Sequence, residues 1–97
     1  MTPQRAHALK RIEVRNSSDR PLTFILEPWA DEHPIAPGER FIVEGEGPAA
    51  YAEFIVEQTE DYLIVWAWDG SDARVLREDG SILWDWTGLR VPNFREP

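Results

Sequence analysis

Apolar residues recur with a period of two along most of this chain, and glycine, proline and Asp-Gly steps interrupt the pattern at short intervals. Successive side chains of a β-strand point to opposite faces, so this alternation defines strands with one buried and one solvated face. ALKRIEVRN places Ala8, Lys10, Ile12 and Val14 on one face and Arg11, Glu13 and Arg15 on the other. NSSDRP is a turn, because its small polar side chains hydrogen-bond the nearby backbone and Pro21 fixes its own φ. LTFILEPW is a second strand, rich in β-formers, with Pro28 ending it or marking an edge. ADEHPIAPGE reads as a loop, since its two prolines exclude a central strand and most helices. A further strand sets Phe41 and Val43 against Arg40, Ile42 and Glu44 and stops at GEGP. YAEFIVEQ alternates Ala52, Phe54 and Val56 with Tyr51, Glu53, Ile55 and Glu57.

The stretch YLIVWAWDGSDARVLREDGSILWDW holds four of the five tryptophans and two Asp-Gly steps, Asp69-Gly70 and Asp79-Gly80. Asp-Gly is the strongest short hairpin signal, because both residues tolerate positive φ. The stretch therefore predicts a three-strand meander. WAWDG and WDWTG read as two similar strand ends. A turn at Asp79-Gly80 pairs Val75 with Trp84, Ala73 with Trp86 and Arg74 with Asp85. Carrying that parity through Asp69-Gly70 puts Ile64, Trp66, Trp68, Ala73, Val75, Ile82, Trp84 and Trp86 on one face. Leu63, Val65, Ala67, Arg74, Leu76, Glu78, Leu83 and Asp85 fall on the other. The charges make the second face the solvent face, so the indoles point into the core. Each buried indole then contributes several kcal/mol, from about 150–250 Å² at roughly 25 cal/mol per Å². Leu63, Leu76 and Leu83 leave that outer face unusually apolar, so the tail, with Val91 and Phe94, or a partner should cover part of it. The strand spacing gives an all-β, single-domain antiparallel sandwich of about seven strands over 1–97, with a flexible arm at 1–8 and an irregular tail or edge strand at 88–97. The pairing of 51–58 with 62–68 stays open: an odd loop keeps Phe54 and Trp66 on one face and an even loop separates them.

Charge narrows the function. The net charge is −8. Residues 1–26 carry five basic and two acidic side chains; residues 27–61 carry Arg40 against ten acids. Such a domain repels phosphate backbones, which argues against nucleic acid. The longest apolar run, Leu63 to Trp68, is too short to span a bilayer, and the N-terminal residues lack the apolar core of a secretion signal. Without cysteine there is no disulfide, thiolate metal site or thiol nucleophile, and a cytoplasmic location is expected.

Candidate chemistry is sparse. Asp31, Glu32 and His33 are consecutive, and neighbours on one loop do not converge on one ion without an unusual backbone, so no metal or other cofactor is expected. DGSD at 69–72 lacks the alternating oxygens and distant glutamate of a calcium loop and reads as a turn. Glu44 with Glu46 and Glu53 with Glu57 share faces, as an acid–base pair would, but no motif provides a cleft for them, so no catalysis is expected.

IEVRNSSDRPLTFILEP followed by IAPGERFIV, residues 12 to 45, resembles the front half of a cupredoxin-like or immunoglobulin-like sandwich. The resemblance implies fold only. A cupredoxin holds copper through His, Cys and often Met; here Cys is absent and the one Met is residue 1, so no ligand position carries over and the fold expected is copper-free. The function expected is a small non-catalytic interaction or structural module that binds another protein, or itself, through Leu63, Leu76 and Leu83, with Trp29 as a loop anchor. The alternative is a carbohydrate- or small-ligand-binding module using Trp29, Tyr51 or the Trp84/Trp86 pair.

Overall fold

The computed structural model describes residues 6–92. Eight strands follow one another: β1 (His7–Arg15), β2 (Leu22–Glu27), β3 (Asp31–Ile35), β4 (Arg40–Pro48), β5 (Ile55–Gln58), β6 (Tyr62–Trp66), β7 (Asp72–Arg77) and β8 (Ile82–Asp85). They form two four-stranded sheets, ordered β1-β4-β7-β8 and β3-β2-β6-β5. The all-β sandwich expected from the alternation is present, with one more strand than expected. Among the described residues no helix is long and apolar enough to cross a membrane.

The extra strand is β3, which the sequence reading treats as loop. Proline removes a ladder donor, and Pro34 sits in an edge strand, where that N–H has no neighbour to serve. Residues 1–5 of the expected arm lie outside the described residues; His7 and Ala8 begin β1.

The final three strands do not form one meander. β6 pairs with β2 in parallel and β5 in antiparallel, whereas β7 pairs with β4 and β8 in the other sheet. At Asp69-Gly70 the Ser71 N–H donates to the Trp68 carbonyl, and only Gly70 takes a positive φ, 80°. That matches a type II turn; the primed turn of a tight hairpin needs positive φ at both central residues. The chain therefore crosses between sheets, and face parity does not carry through the turn. On β6 the inward residues are Leu63 and Val65, 3% and 0% exposed, and Trp66 points outward. The Leu63 expectation is overturned: it is core.

The β7–β8 hairpin does form, with Val75 opposite Trp84 and Arg74 opposite Asp85, as expected. It reaches that register by compensation. Gly80 N–H bonds to the Arg77 carbonyl and Arg77 N–H to Ser81, a three-residue loop with Gly80 at φ 87°. A bulge between the Leu76–Ile82 and Val75–Trp84 pairs absorbs the odd residue, Leu83, which packs on the core with Trp84.

The core joins Phe24, Leu26, Ile35, Phe41, Val43 and Val75 from both sheets. Phe24 meets Phe41 edge-on at 5.3 Å and stacks on Trp84 at 5.8 Å. Strand β4 runs on through GEGP rather than stopping there. Its glycines make room for neighbours: a Cβ at Gly45 would lie 2.6 Å from Phe54 and 2.8 Å from Trp68, and one at Gly47 would lie 2.7 Å from the Ser71 backbone. The buried Asn16 confirms the NSSDRP turn. Its amide donates to the Arg20 and Ile35 carbonyls, and its oxygen accepts from the Ser18 N–H and hydroxyl.

Candidate ligand-binding face

The two sheets finish their outer faces differently. On β1, β4 and β7, alternate outward positions carry both signs of charge. Arg40 bridges Glu13 at 2.9 Å and also pairs with Glu78; Glu44 accepts from Arg74 at 2.7 Å and lies 3.7 Å from Arg11; His7 meets Glu46 at 2.8 Å. Of the acid–base candidates, Glu44 is thus engaged by Arg74 and Arg11, and Glu46 is hydrogen-bonded to His7. A concavity of about 290 Å³ there is lined by Leu9, Glu44, Glu46, Asp72, Arg74 and Thr87 among others.

The other outer face is built by β2, β6 and β5. The register places Tyr62 beside Thr23, Ile64 between Ile25 and Glu57, and Trp66 between Glu27 and Ile55. Directly opposed residues share a face, so Ile25, Ile55, Tyr62, Ile64 and Trp66 form one apolar patch. Ile55 is 55% exposed, Tyr62 42% and Trp66 38%. Four acids stand around it, Glu27, Glu32, Glu53 and Glu57, and Arg20, paired with Glu60, lies at its Tyr62 end. None of the four takes part in a salt bridge among the described residues.

At one end the patch falls into a concavity of about 260 Å³, lined by Pro28, Tyr51, Glu53, Ile55, Trp66, Trp68 and Asp69 among others. This is smaller than the roughly 300–1,000 Å³ of drug-sized sites, and suits one side chain or one sugar ring. Its base is rigid. Trp68 is buried, lies edge-on to Phe54 at 5.2 Å and donates its indole N–H to the Pro48 carbonyl at 2.8 Å. Val91 closes it from the tail, exchanging backbone bonds with Gly70 and Ser71. Tyr51 has φ 58°, a left-handed conformation that costs a residue with a Cβ about 1–2 kcal/mol. Strain of this kind concentrates where a side chain must be held in place.

The expected site residues do not assemble. Leu63 is core; Leu76 is half-buried on the ion-paired face; Leu83 packs inward from the bulge. Trp29 stacks on Trp86 at 5.6 Å and 9°, and donates to the Leu89 carbonyl at 3.1 Å, closing the margin between β3 and β8. Asp31 accepts from the Trp86 indole at 2.6 Å, and His33 meets Phe41 and Trp84 edge-on, while Glu32 faces outward. Alternation on β3 thus disperses the acidic-histidine triplet, and the described residues contain no group of three or more His, Cys, Asp or Glu able to hold a metal. Of the tail, Val91 is tucked in; Phe94 lies outside the described residues.

Sequence reasoning missed Tyr62, Ile64, Trp66 and Ile55 as a surface. Leu63 and Val65 alternate with equally apolar neighbours, so β6 carries no polar face to orient it. Only tertiary pairing with β2 settles which set is inside. Compared with protein-family models, curated proteins and solved structures, the chain matches none.

Proposed function

We propose that this chain is a non-catalytic binding module, built on a copper-free cupredoxin-like or immunoglobulin-like sandwich, that engages another polypeptide through the outer face of the β3-β2-β6-β5 sheet. The observation that carries this reading is the asymmetry of the two outer faces. One sets ion pairs around an aliphatic row of Ile42, Leu76 and Ile82, whereas the other exposes an aromatic patch beside Glu27, Glu53 and Glu57, which form no salt bridge among the described residues. Patches of this composition on a small domain mark interaction sites, and tryptophan and tyrosine are the residues that most often dominate their energetics.

The test is selection from a random peptide library against the wild-type domain and against Trp66→Ala. Peptides that bind the first and not the second support the proposal. Trp66 is 38% exposed, so truncation should cost about 2 kcal/mol, less than at a fully buried indole, and circular dichroism with thermal unfolding checks that the variant remains folded. Peptides indifferent to Trp66 but sensitive to Arg74→Ala would move the site to the other face.

A second reading is a carbohydrate-binding module, favoured by the size of the concavity and by Tyr51 and Trp66 in its wall beside Glu53. A glycan that shifts the emission of Trp66, with no peptide selected, would establish it in place of the first.

A further inference from the structure

Resting on the reading that this outer face is the binding surface, the structure also says what chemistry it takes. The first observation is the edge of β5, the last strand of its sheet, which no other strand of the described residues pairs and whose four residues are all exposed. Thr59 N–H donates to the Tyr62 carbonyl, making 59 and 62 a hydrogen-bonded pair. Hydrogen-bonded and non-bonded pairs alternate along an antiparallel ladder. In the observed register Ile55 and Glu57 therefore direct their backbone groups to β6. Val56 and Gln58 direct theirs away from the sheet, a short template for one more strand.

The second observation is charge. From Phe41 to Ala73 the chain contains eight acids and no lysine, arginine or histidine. Glu53 and Glu57 flank the β5 edge, and Glu27 lies across the patch beside Trp66. The third is the concavity at the same end of β5, where Tyr51 and Trp66 line the wall with Glu53. Aromatic faces attract cations, most strongly on tryptophan, and a neighbouring carboxylate adds to the attraction.

We infer that the face takes an extended basic peptide segment, which adds as a strand to the free edge of β5 and sets an arginine or lysine side chain against Trp66 and Tyr51 beside Glu53. Alternate side chains of an added strand point the same way. A segment alternating basic and β-branched residues would therefore present all its cations to the patch.

The probe is a capped octapeptide alternating valine and arginine, titrated into the full chain and followed by tryptophan fluorescence and calorimetry. Matched peptides carry citrulline for arginine, or N-methyl groups on alternate backbone nitrogens. The citrulline peptide should bind at least about tenfold more weakly, the N-methylated peptide should lose binding, and 0.5 M salt should weaken the parent peptide. Glu53→Gln combined with Glu57→Gln should reproduce the citrulline loss in a domain whose circular dichroism is unchanged. Equal affinity for citrulline, indifference to N-methylation, or a Trp66-dependent dimer in sedimentation that excludes the peptide would overturn the inference. If the library yields Trp66-dependent peptides without arginine or lysine, the binding face stands and this inference falls. If nothing binds at Trp66, both fall.

Discussion

At the margin between β3 and β8, Trp29 and Trp86 stack on one another, Trp84 stacks on Phe24, and two of the three indoles donate to named acceptors, Leu89 O and Asp31 Oδ2. On the outer face of the other sheet, Tyr62 and Trp66 on the inner strand β6 and Ile55 on the edge strand β5 are 42%, 38% and 55% exposed. Both regions are aromatic; they differ in how much of each the rest of the chain covers. A small domain needs every large side chain it can bury. Leaving one group uncovered while completing the other is therefore informative about what the uncovered group is for.

The largest effect should come from the indole that anchors the open side from beneath. Trp68→Ala removes the Phe54 contact, the bond to the Pro48 carbonyl and the floor of the concavity. A loss of about 3–5 kcal/mol is expected by denaturant unfolding. The same truncation at Trp66, 38% exposed against 3% for Trp68, should cost less, and equal losses at the two positions would erase the contrast. Next in size is Trp86→Phe, which keeps the stack on Trp29 but strips the Asp31 carboxylate of its donor. About 1–3 kcal/mol is expected, with near-ultraviolet circular dichroism reporting the loosened pair.

The smallest expected effect is that of acid on the β7–β8 hairpin. Asp79 is held below its ordinary carboxylate range first by the Ser81 hydroxyl, then by the Ser81 N–H; Asp85 is held down likewise by Thr87. A depressed folded-state value means the stabilisation is fully present above the ordinary value, about pH 4, and is lost as pH falls through the lower folded one. The β7–β8 hairpin should loosen in that window, seen as a small drop in the chemical-shift dispersion of Trp84 and Trp86.

Much of the architecture was legible. Polar/apolar contrast located and oriented β1, β4 and β7, β-forming residues located β2, and Asn16 with Ser18 announced its turn through local hydrogen bonding. The Val75–Trp84 register was correct although the loop assumed was one residue too short, because the Leu83 bulge restored the count. What was not legible is non-local. An Asp-Gly step does not state whether it closes a hairpin or bridges two layers; the neighbours of β6 decide that. Proline in β3 is forbidden or harmless depending on whether the strand is an edge, which topology alone decides. The two-residue Glu60-Asp61 loop between β5 and β6 settles the open parity question, separating Phe54, packed on Trp68, from Trp66. The candidate surface was invisible because both sides of β6 are apolar.

The chain's crossing between layers has a further consequence. Each sheet takes two strands from the first half of the molecule, β1 and β4 or β2 and β3, and two from the second. Neither half owns a complete layer, so a nick at Ala49-Ala50 would yield fragments that regain order only by finding each other. The parallel join of Thr23 to Tyr62 also cannot close until some forty residues between them have been synthesised and looped back. Assembly should accordingly be slow for so small a body, on the order of milliseconds to seconds, with the aromatic strand β6 unpaired on its β2 side meanwhile.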